Sequence, residues 1–347
     1  MQVINTAILS YGMSGKLFHA PFIHLHHGFE LVGAWERSKK VIGEKYPEAK
    51  SYLSMEELLA DKSVDLVVVN TPTYTHFEYA KKSLLAGKHV VVEKAFTTTT
   101  AEAEELKGLS ETAGKKITVF QHRRWDSDFK TVSDVISKGL PGELVEATIS
   151  FDRFNPGLSP KLHKETPGPG AGILKDLGPH LIDQALVLFG MPLAVFGDIR
   201  ITRTLSQVDD YFEILLYYPK LRARLKGGYF VREPVAAYMI HGMKGSFLKS
   251  RGDIQETQLL AGMVPNHPDY GIELEAGQGL LHTELDGKVI KEKVKSLPGS
   301  YMDYYEGVYQ SISQDKPMPV TADDGIRVMK IIEAAVKSNL EKRVVEL

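Results

Sequence analysis

Lys94 closes the β-branched run His89–Glu93 and is the first residue whose position suggests chemistry. A parallel strand ending there would deliver its ammonium to the edge of the sheet where open α/β sheets bind ligands. Asp176 and His180 come next. They are spaced i, i+4 in a helix-like segment and so share one side of it. An ammonium, a carboxylate and an imidazole around one hydroxyl make a proton-transfer site. Taken alone, these spacings also describe solvated surface pairs. A third group is the turn Ser10-Tyr11-Gly12-Met13-Ser14-Gly15, between an apolar run and a helix-like one. It matches the second and third glycines of the dinucleotide fingerprint, with Ser10 in place of the first. Glu36 ends the second apolar run, roughly 20 residues further on, where a carboxylate can accept adenosine ribose hydroxyls. A solvated strand-end charge is the plain alternative.

Positioning these groups requires a particular order of elements. Strands are expected at Ile4–Leu9, Phe29–Glu36, Val64–Asn70, His89–Glu93 and Lys116–Gln121, as buried apolar runs. Helices are expected at Lys16–His27, Ser38–Tyr46, Met55–Ala60, Thr75–Ala86 and Thr99–Ala113, with Gly87 and Gly114 as terminators. That alternation predicts a parallel, doubly wound sheet. Beyond residue 122 the rhythm changes. A long strand Val145–Phe154, a Gly/Pro-rich loop Asn155–Gly172 and a helix Lys175–Phe189 precede several strands with few helices between them. A hairpin is expected around Asp286-Gly287, and a final helix at Ala322–Asn339. The reading is an α/β domain over 1–121 and an α+β domain with a large antiparallel sheet over 122–347. The last helix is free to pack back on the first domain.

Composition narrows the chemistry. The 347 residues carry a net charge of −2, without the clustered positive charge that nucleic-acid binding needs. No run approaches the ~18 apolar residues of a membrane span. The start, MQVINTAILSYG, has no basic n-region, so no secretory signal is expected. With no cysteine there is no thiolate catalysis, disulfide or Cys-based zinc site. A reducing cytoplasm fits this composition.

Further residues repeat a recognisable pattern. Thr71-Pro72 and His76 follow the strand at 64–70, Glu93-Lys94-Ala95 follows the next, and Gly172-Ile-Leu174-Lys-Asp176-Leu-Gly178-Pro-His180-Leu-Ile-Asp183 lies in the second domain. Together with the glycine turn they resemble the glucose–fructose oxidoreductase/inositol dehydrogenase (Gfo/Idh/MocA) family across nearly the whole chain. The segment His122-Arg123-Arg124-Trp125-Asp126 resembles the family's N-R-R-x-D segment with His122 in place of Asn, and that version resembles the subgroup containing scyllo-inositol dehydrogenases.

The resemblance implies a Rossmann domain, a nicotinamide at the domain junction, and Lys94, Asp176 and His180 meeting there. It implies oxidation of a secondary alcohol of a cyclitol, sugar or sugar derivative. His180 is the expected proton acceptor, its unperturbed pKa lying near working pH; Lys94 would stabilise the alkoxide, and the two roles could be exchanged. Cofactor contacts fall to Ser10, Gly12, Met13, Ser14, Gly15, Glu36, Arg37, Thr71, Pro72, His76, Glu93 and Lys94. Glu36 leans the choice towards NAD, whereas Arg37-Ser38-Lys39-Lys40 could hold the 2′-phosphate of NADP. Arg123, Arg124, Trp125 and Arg153 are the candidate polyol contacts; each could equally be a junction salt bridge. No metal is expected, because His76, Asp176 and His180 lack ligand spacing. A homodimer or dimer-based tetramer through the second-domain sheet is expected. Two other functions remain open: an NAD-using glycosidase or lyase with transient oxidation, and a non-catalytic nucleotide sensor. The family's E-K-P is E-K-A here, so a trans bond is expected before Ala95.

Overall fold

The computed structural model describes residues 3–160, 162–252 and 254–347, with Leu162 and His163 described by their backbone only. It divides into two compact units.

The first unit holds a six-stranded sheet: β1 (Ile4–Ile8), β2 (Phe29–Trp35), β3 (Lys50–Tyr52), β4 (Leu66–Val69), β5 (His89–Glu93) and β6 (Ile117–Phe120). The order is β3-β2-β1-β4-β5-β6 and the pairings are parallel. This is the doubly wound arrangement the alternation predicted, with the chain reversing direction at β1/β4. β4 is buried throughout, as a strand covered on both faces must be. The helix Thr100–Thr112 is started by a capping box of Thr99 and Glu102. Gly87 and Gly114 end helices with φ of +75° and +61°, values that suit glycine.

Two expectations change here. The helix expected over Ser38–Tyr46 shortens to Ile42–Lys45. The Glu36 carboxylate takes the N–H groups of Val41 and Ile42, and Lys40 turns back onto the carbonyls of Glu36 and Tyr52. The linear domain boundary changes too: residues 255–270 and 300–326 join the first unit. Hydrophobic packing accounts for this. Tyr301, Tyr304 and Tyr305 are fully buried, with ring contacts to Phe18, Phe22 and Phe120.

The second unit holds a nine-stranded, mostly antiparallel sheet. Its strands are β7 (Leu144–Asp152), β8 (Ala194–Arg200), β9 (Tyr211–Tyr217), β10 (Arg222–Gly228), β11 (Tyr238–Gly242), β12 (Gly245–Lys249), β13 (Gly279–Leu285), β14 (Lys288–Val294) and β15 (Val345–Glu346). The order is β14-β13-β12-β11-β7-β10-β9-β8-β15, and β7 and β10 run parallel. The β13–β14 hairpin turns at Asp286 and Gly287, both with positive φ, as a two-residue turn of this kind requires. The helix Ile173–Phe189 packs on β7, β9 and β10. Asp209 fixes its start: its carbonyl takes the N–H of Ile173 and its carboxylate that of Leu174. Among the described residues no helix is long and apolar enough to cross a membrane.

Candidate active site

The first strand ends in a turn built for close approach. A Cβ on Gly15 would lie 2.2 Å from the Ser10 carbonyl oxygen and 3.1 Å from Asn70 Nδ2, so only glycine fits. Ser10, standing where the fingerprint has glycine, uses its hydroxyl to accept the Gly12 N–H at 3.3 Å. Asn70 at the end of β4 donates to the Ser10 carbonyl at 2.7 Å, joining the two strand ends across the switch point. Its other amide atom, Oδ1, is buried and takes no hydrogen bond from the protein. A glycine cradle at a strand–helix turn with a spare buried acceptor beside it fits a dinucleotide pyrophosphate and ribose.

The helix after the turn opens as a π-helix, Gly15–His19, before Ala20–Leu25 continues as α with Pro21 in its first turn. Pro21 has no N–H to give, so a regular ladder cannot run through it. The wider turn accompanies an inward-facing His19, which is fully buried.

His19 meets Glu93. Its Nε2 lies 3.1 Å from Glu93 Oε1, and Nδ1 lies 2.6 Å from the Tyr305 hydroxyl. Ser14 Oγ donates to the same Glu93 oxygen at 2.9 Å, and the Lys94 N–H reaches Oε2 at 3.2 Å. Burial alone would raise the Glu93 carboxyl. The hydrogen bond and charge of His19, then the charges of His122 and Lys94, outweigh it and hold the group at about 2.

His76 bridges two loops of this unit. Nδ1 lies 2.8 Å from the Ala95 carbonyl and Nε2 2.8 Å from that of Thr71. Burial pushes its pKa down. It therefore ties Thr71-Pro72 to the segment carrying Lys94. The Lys94–Ala95 bond is cis, correcting the trans expectation. Ala95 is buried and its carbonyl is held by His76, so tertiary contacts surround the bond where proline does not.

Glu36 is only 5% exposed, and its carboxylate accepts from Val41 N at 2.9 Å and Ile42 N at 3.3 Å, so it shapes its own loop. Arg37, Ser38 and Lys39 beside it are exposed. Met13 is exposed on the turn.

In the second unit, Asp176 and His180 lie one turn apart on Ile173–Phe189. His180 is 3% exposed. Asp176 is partly exposed and pairs with Lys164 Nζ at 2.7 Å. Lys164 stands on the short helix Leu162–Glu165 within the Gly/Pro-rich loop. Its neighbour Glu165 anchors that loop to Arg203, whose guanidinium also binds Asp210 and the Gly157 carbonyl. Sequence reading missed Lys164 and His19 because neither carries a motif. Only contact with Asp176 and Glu93 singles them out.

The arginines expected to touch substrate divide. Arg124 makes a two-pronged pair with Asp183, at 2.8 and 2.6 Å. Arg123 is buried and binds Asp126 at 3.1 Å. Both guanidiniums make ion pairs with neighbouring carboxylates. Trp125 is half-buried. Arg153 is exposed, its guanidinium 4.7 Å from the centre of the Phe151 ring.

Among the described residues, His26, His27 and Glu306 form a cluster close enough to hold a cation. The hydrogen bonding speaks against it. His26 Nδ1 accepts the Gly28 N–H at 3.0 Å, so Nε2 carries the ring hydrogen and donates it to Glu306 at 2.9 Å.

Comparison with known proteins agrees with this fold. Residues 4–121 match the oxidoreductase family's NAD-binding Rossmann fold, and residues 135–347 match its C-terminal alpha/beta domain. The chain is 37% identical over 347 residues to scyllo-inositol 2-dehydrogenase (NADP(+)) IolW of Bacillus subtilis (strain 168), covering 100% of this chain and 97% of that one. A crystal structure from Bacteroides fragilis NCTC 9343 is 44% identical, with TM-score 0.92 and full coverage of both chains. A second, from Bacillus subtilis, is 37% identical with TM-score 0.96, covering 100% of this chain and 99% of that one. The chain therefore belongs to the Gfo/Idh/MocA oxidoreductase family, and its first domain is that family's NAD-binding Rossmann fold.

Proposed function

We propose that the protein is a dehydrogenase that interconverts a secondary alcohol and its ketone on a cyclitol, sugar or sugar derivative, using NADP in preference to NAD. The observation that carries the reaction is Asp176 and His180 one turn apart on a single helix of the second unit; the family resemblance adds Lys94, which follows β5 of the first. The nicotinamide supplies the hydride acceptor at its C4. His180 takes the hydroxyl proton, and the Lys94 ammonium stabilises negative charge on the substrate oxygen. Asp176, charge-paired with Lys164, accepts hydrogen bonds from a polyhydroxylated ring. Arg153 is a second polyol contact.

The nucleotide would be held by Ser10, Gly12, Ser14 and Gly15 at the turn and by Thr71, Pro72, His76 and Glu93 beyond it. Preference for NADP is supported by the inward turn of Glu36, which would otherwise repel a 2′-phosphate. Exposed Arg37, Ser38 and Lys39 offer that phosphate charge-assisted donors. The activity named for the Bacillus subtilis relative supports both the substrate class and the nucleotide. Such an enzyme works in the cytoplasm, where the nucleotide pool lies. Its second-unit sheet, with alternate residues of β9 only half-buried, suits pairing with another copy.

The test is to measure binding of NADP and NAD, then follow the absorbance of the reduced nicotinamide with cyclitols, aldoses and sugar acids. Stoichiometric reduction of NADP by one such polyol is expected. Turnover without net reduction would replace the dehydrogenase with a transient-oxidation lyase, and binding of NAD alone would reverse the nucleotide preference.

A further inference from the structure

The Glu93 carboxylate has more partners than a structural bridge needs. It closes a chain that runs from Tyr305 through His19 to the end of β5. The Tyr305 hydroxyl lies 2.6 Å from His19 Nδ1 and 3.3 Å from the Phe18 carbonyl, and burial pushes the phenol far above its ordinary range, so it does not surrender its proton. Glu93 accepts from His19 Nε2, the Ser14 hydroxyl and the Lys94 N–H, three hydrogen bonds that favour the ionised carboxylate.

That charge is also fixed in place. The Ser14 hydroxyl and His19 hold one oxygen, and the Lys94 N–H holds the other. Ser14 belongs to the glycine turn. Glu93 is therefore bonded on one side to the pyrophosphate turn and lies on the other next to Lys94. In a doubly wound sheet the pyrophosphate sits over the first turn, and the second half of the dinucleotide extends over the strands beyond the switch point. β5 is one of those strands.

The two redox states of the nucleotide differ in charge at one place. The oxidised nicotinamide ring is cationic and the reduced ring is neutral. A preorganised anion in a partly dry site discriminates between them, because it has no reorganisation to undergo. Lys94 offsets part of this field without cancelling it, since its ammonium is directed to substrate in the function proposed above.

We infer that Glu93, held by Ser14 and by the His19–Tyr305 chain, is a permanent anion that makes this protein bind the oxidised nicotinamide nucleotide more tightly than the reduced one. His19 and Tyr305 are positioning residues in this scheme. The inference rests on the nucleotide being held by the glycine turn, but not on the identity of the substrate.

The test needs no turnover. Dissociation constants for oxidised and reduced NADP are measured separately, by calorimetry and by fluorescence of the reduced ring. Wild type is compared with Glu93→Gln and with Tyr305→Phe, a near-isosteric change that preserves packing if the first variant does not fold. Glu93→Gln is expected to weaken the oxidised form about 10-fold more than the reduced form. That corresponds to about 30 mV in the potential of the bound nucleotide. Tyr305→Phe is expected to move the same ratio in the same direction by about 3-fold. Equal weakening of both forms, or an unchanged ratio in both variants, overturns the inference while leaving the nucleotide site intact. Failure of wild type to bind either form overturns the nucleotide site, and the inference with it.

Discussion

β4 of the first unit is buried along its length, whereas in β9 of the second unit every other residue is only half-buried. The parallel sheet is closed on both faces, so its strand ends are where polar groups gather. Ser10, Asn70 and Glu93 all lie at the C-terminal ends of β1, β4 and β5 and are joined there by hydrogen bonds to the turn. The antiparallel sheet leaves a face partly open, and the residues proposed for its chemistry sit on a helix laid on it and on a loop. Asp176 and His180 ride on Ile173–Phe189, and Lys164 is brought to Asp176 by the Glu165–Arg203 anchor. The first unit positions through strand ends tied to the glycine turn by side-chain hydrogen bonds, the second through ion pairs on a helix and a loop.

This contrast can be broken most sharply at the second unit. His180→Asn is expected to lower kcat by about 10²- to 10⁴-fold while nucleotide affinity stays within about 2-fold. Calorimetry beside steady-state kinetics checks the split; a matching loss of nucleotide affinity would erase the division of labour. Next is the first unit's backbone. Gly15→Ala puts a carbon against the Ser10 carbonyl, and nucleotide binding should weaken roughly 10- to 100-fold. Binding at wild-type strength would show that the turn does not hold the pyrophosphate. A smaller effect is expected at the rim: Arg37→Ala should weaken NADP about 10-fold and leave NAD unchanged. Equal effects on both nucleotides would remove Arg37 from the 2′-phosphate.

The smallest expected effect is on stability against pH. Burial lowers the His89 imidazole to about 4, and its Nδ1 accepts the Lys116 N–H. The unfolded chain binds this proton near pH 6.5 and the folded one only near 4. Stability is therefore fully present above pH 6.5 and falls between 6.5 and 4, by on the order of 1 kcal/mol after allowing for partial exposure. Denaturant melts of wild type and His89→Asn across that window should converge as the pH falls. Parallel curves would place the acid sensitivity elsewhere, for example at Glu93, whose contribution is lost below about 4.5 and down to about 2.

Much of the first unit was legible from its residues. β5 spans the expected His89–Glu93, and the other four expected strands lie within one or two residues of their runs, because a buried parallel strand must be apolar at every position. β3 and the helices Ser127–Ser137 and Met302–Gln314 were not read. Met302–Gln314 carries tyrosines where the eye seeks aliphatic residues, yet Tyr304 and Tyr305 are core. The site divides in the same way. The spacing of Asp176 and His180 and the glycine turn are local patterns. The fates of Glu36, Arg123 and Arg124 were not local, since each depended on which neighbour reached the charge first.

The sequence by itself determined the alternation of strands and helices in the first unit, the glycine turn after its first strand, and the absence of cysteine chemistry. The alternation and the turn rest on periodicity and spacing within a few residues, which backbone geometry translates directly into structure. Only the tertiary structure decided that Glu36 turns inward, that Lys164 pairs with Asp176, and that His19 and Tyr305 stand behind Glu93. A buried charge must find its partners wherever folding places them. Here His19 and Glu93 are 74 residues apart in the chain, and His19 and Tyr305 are 286 apart.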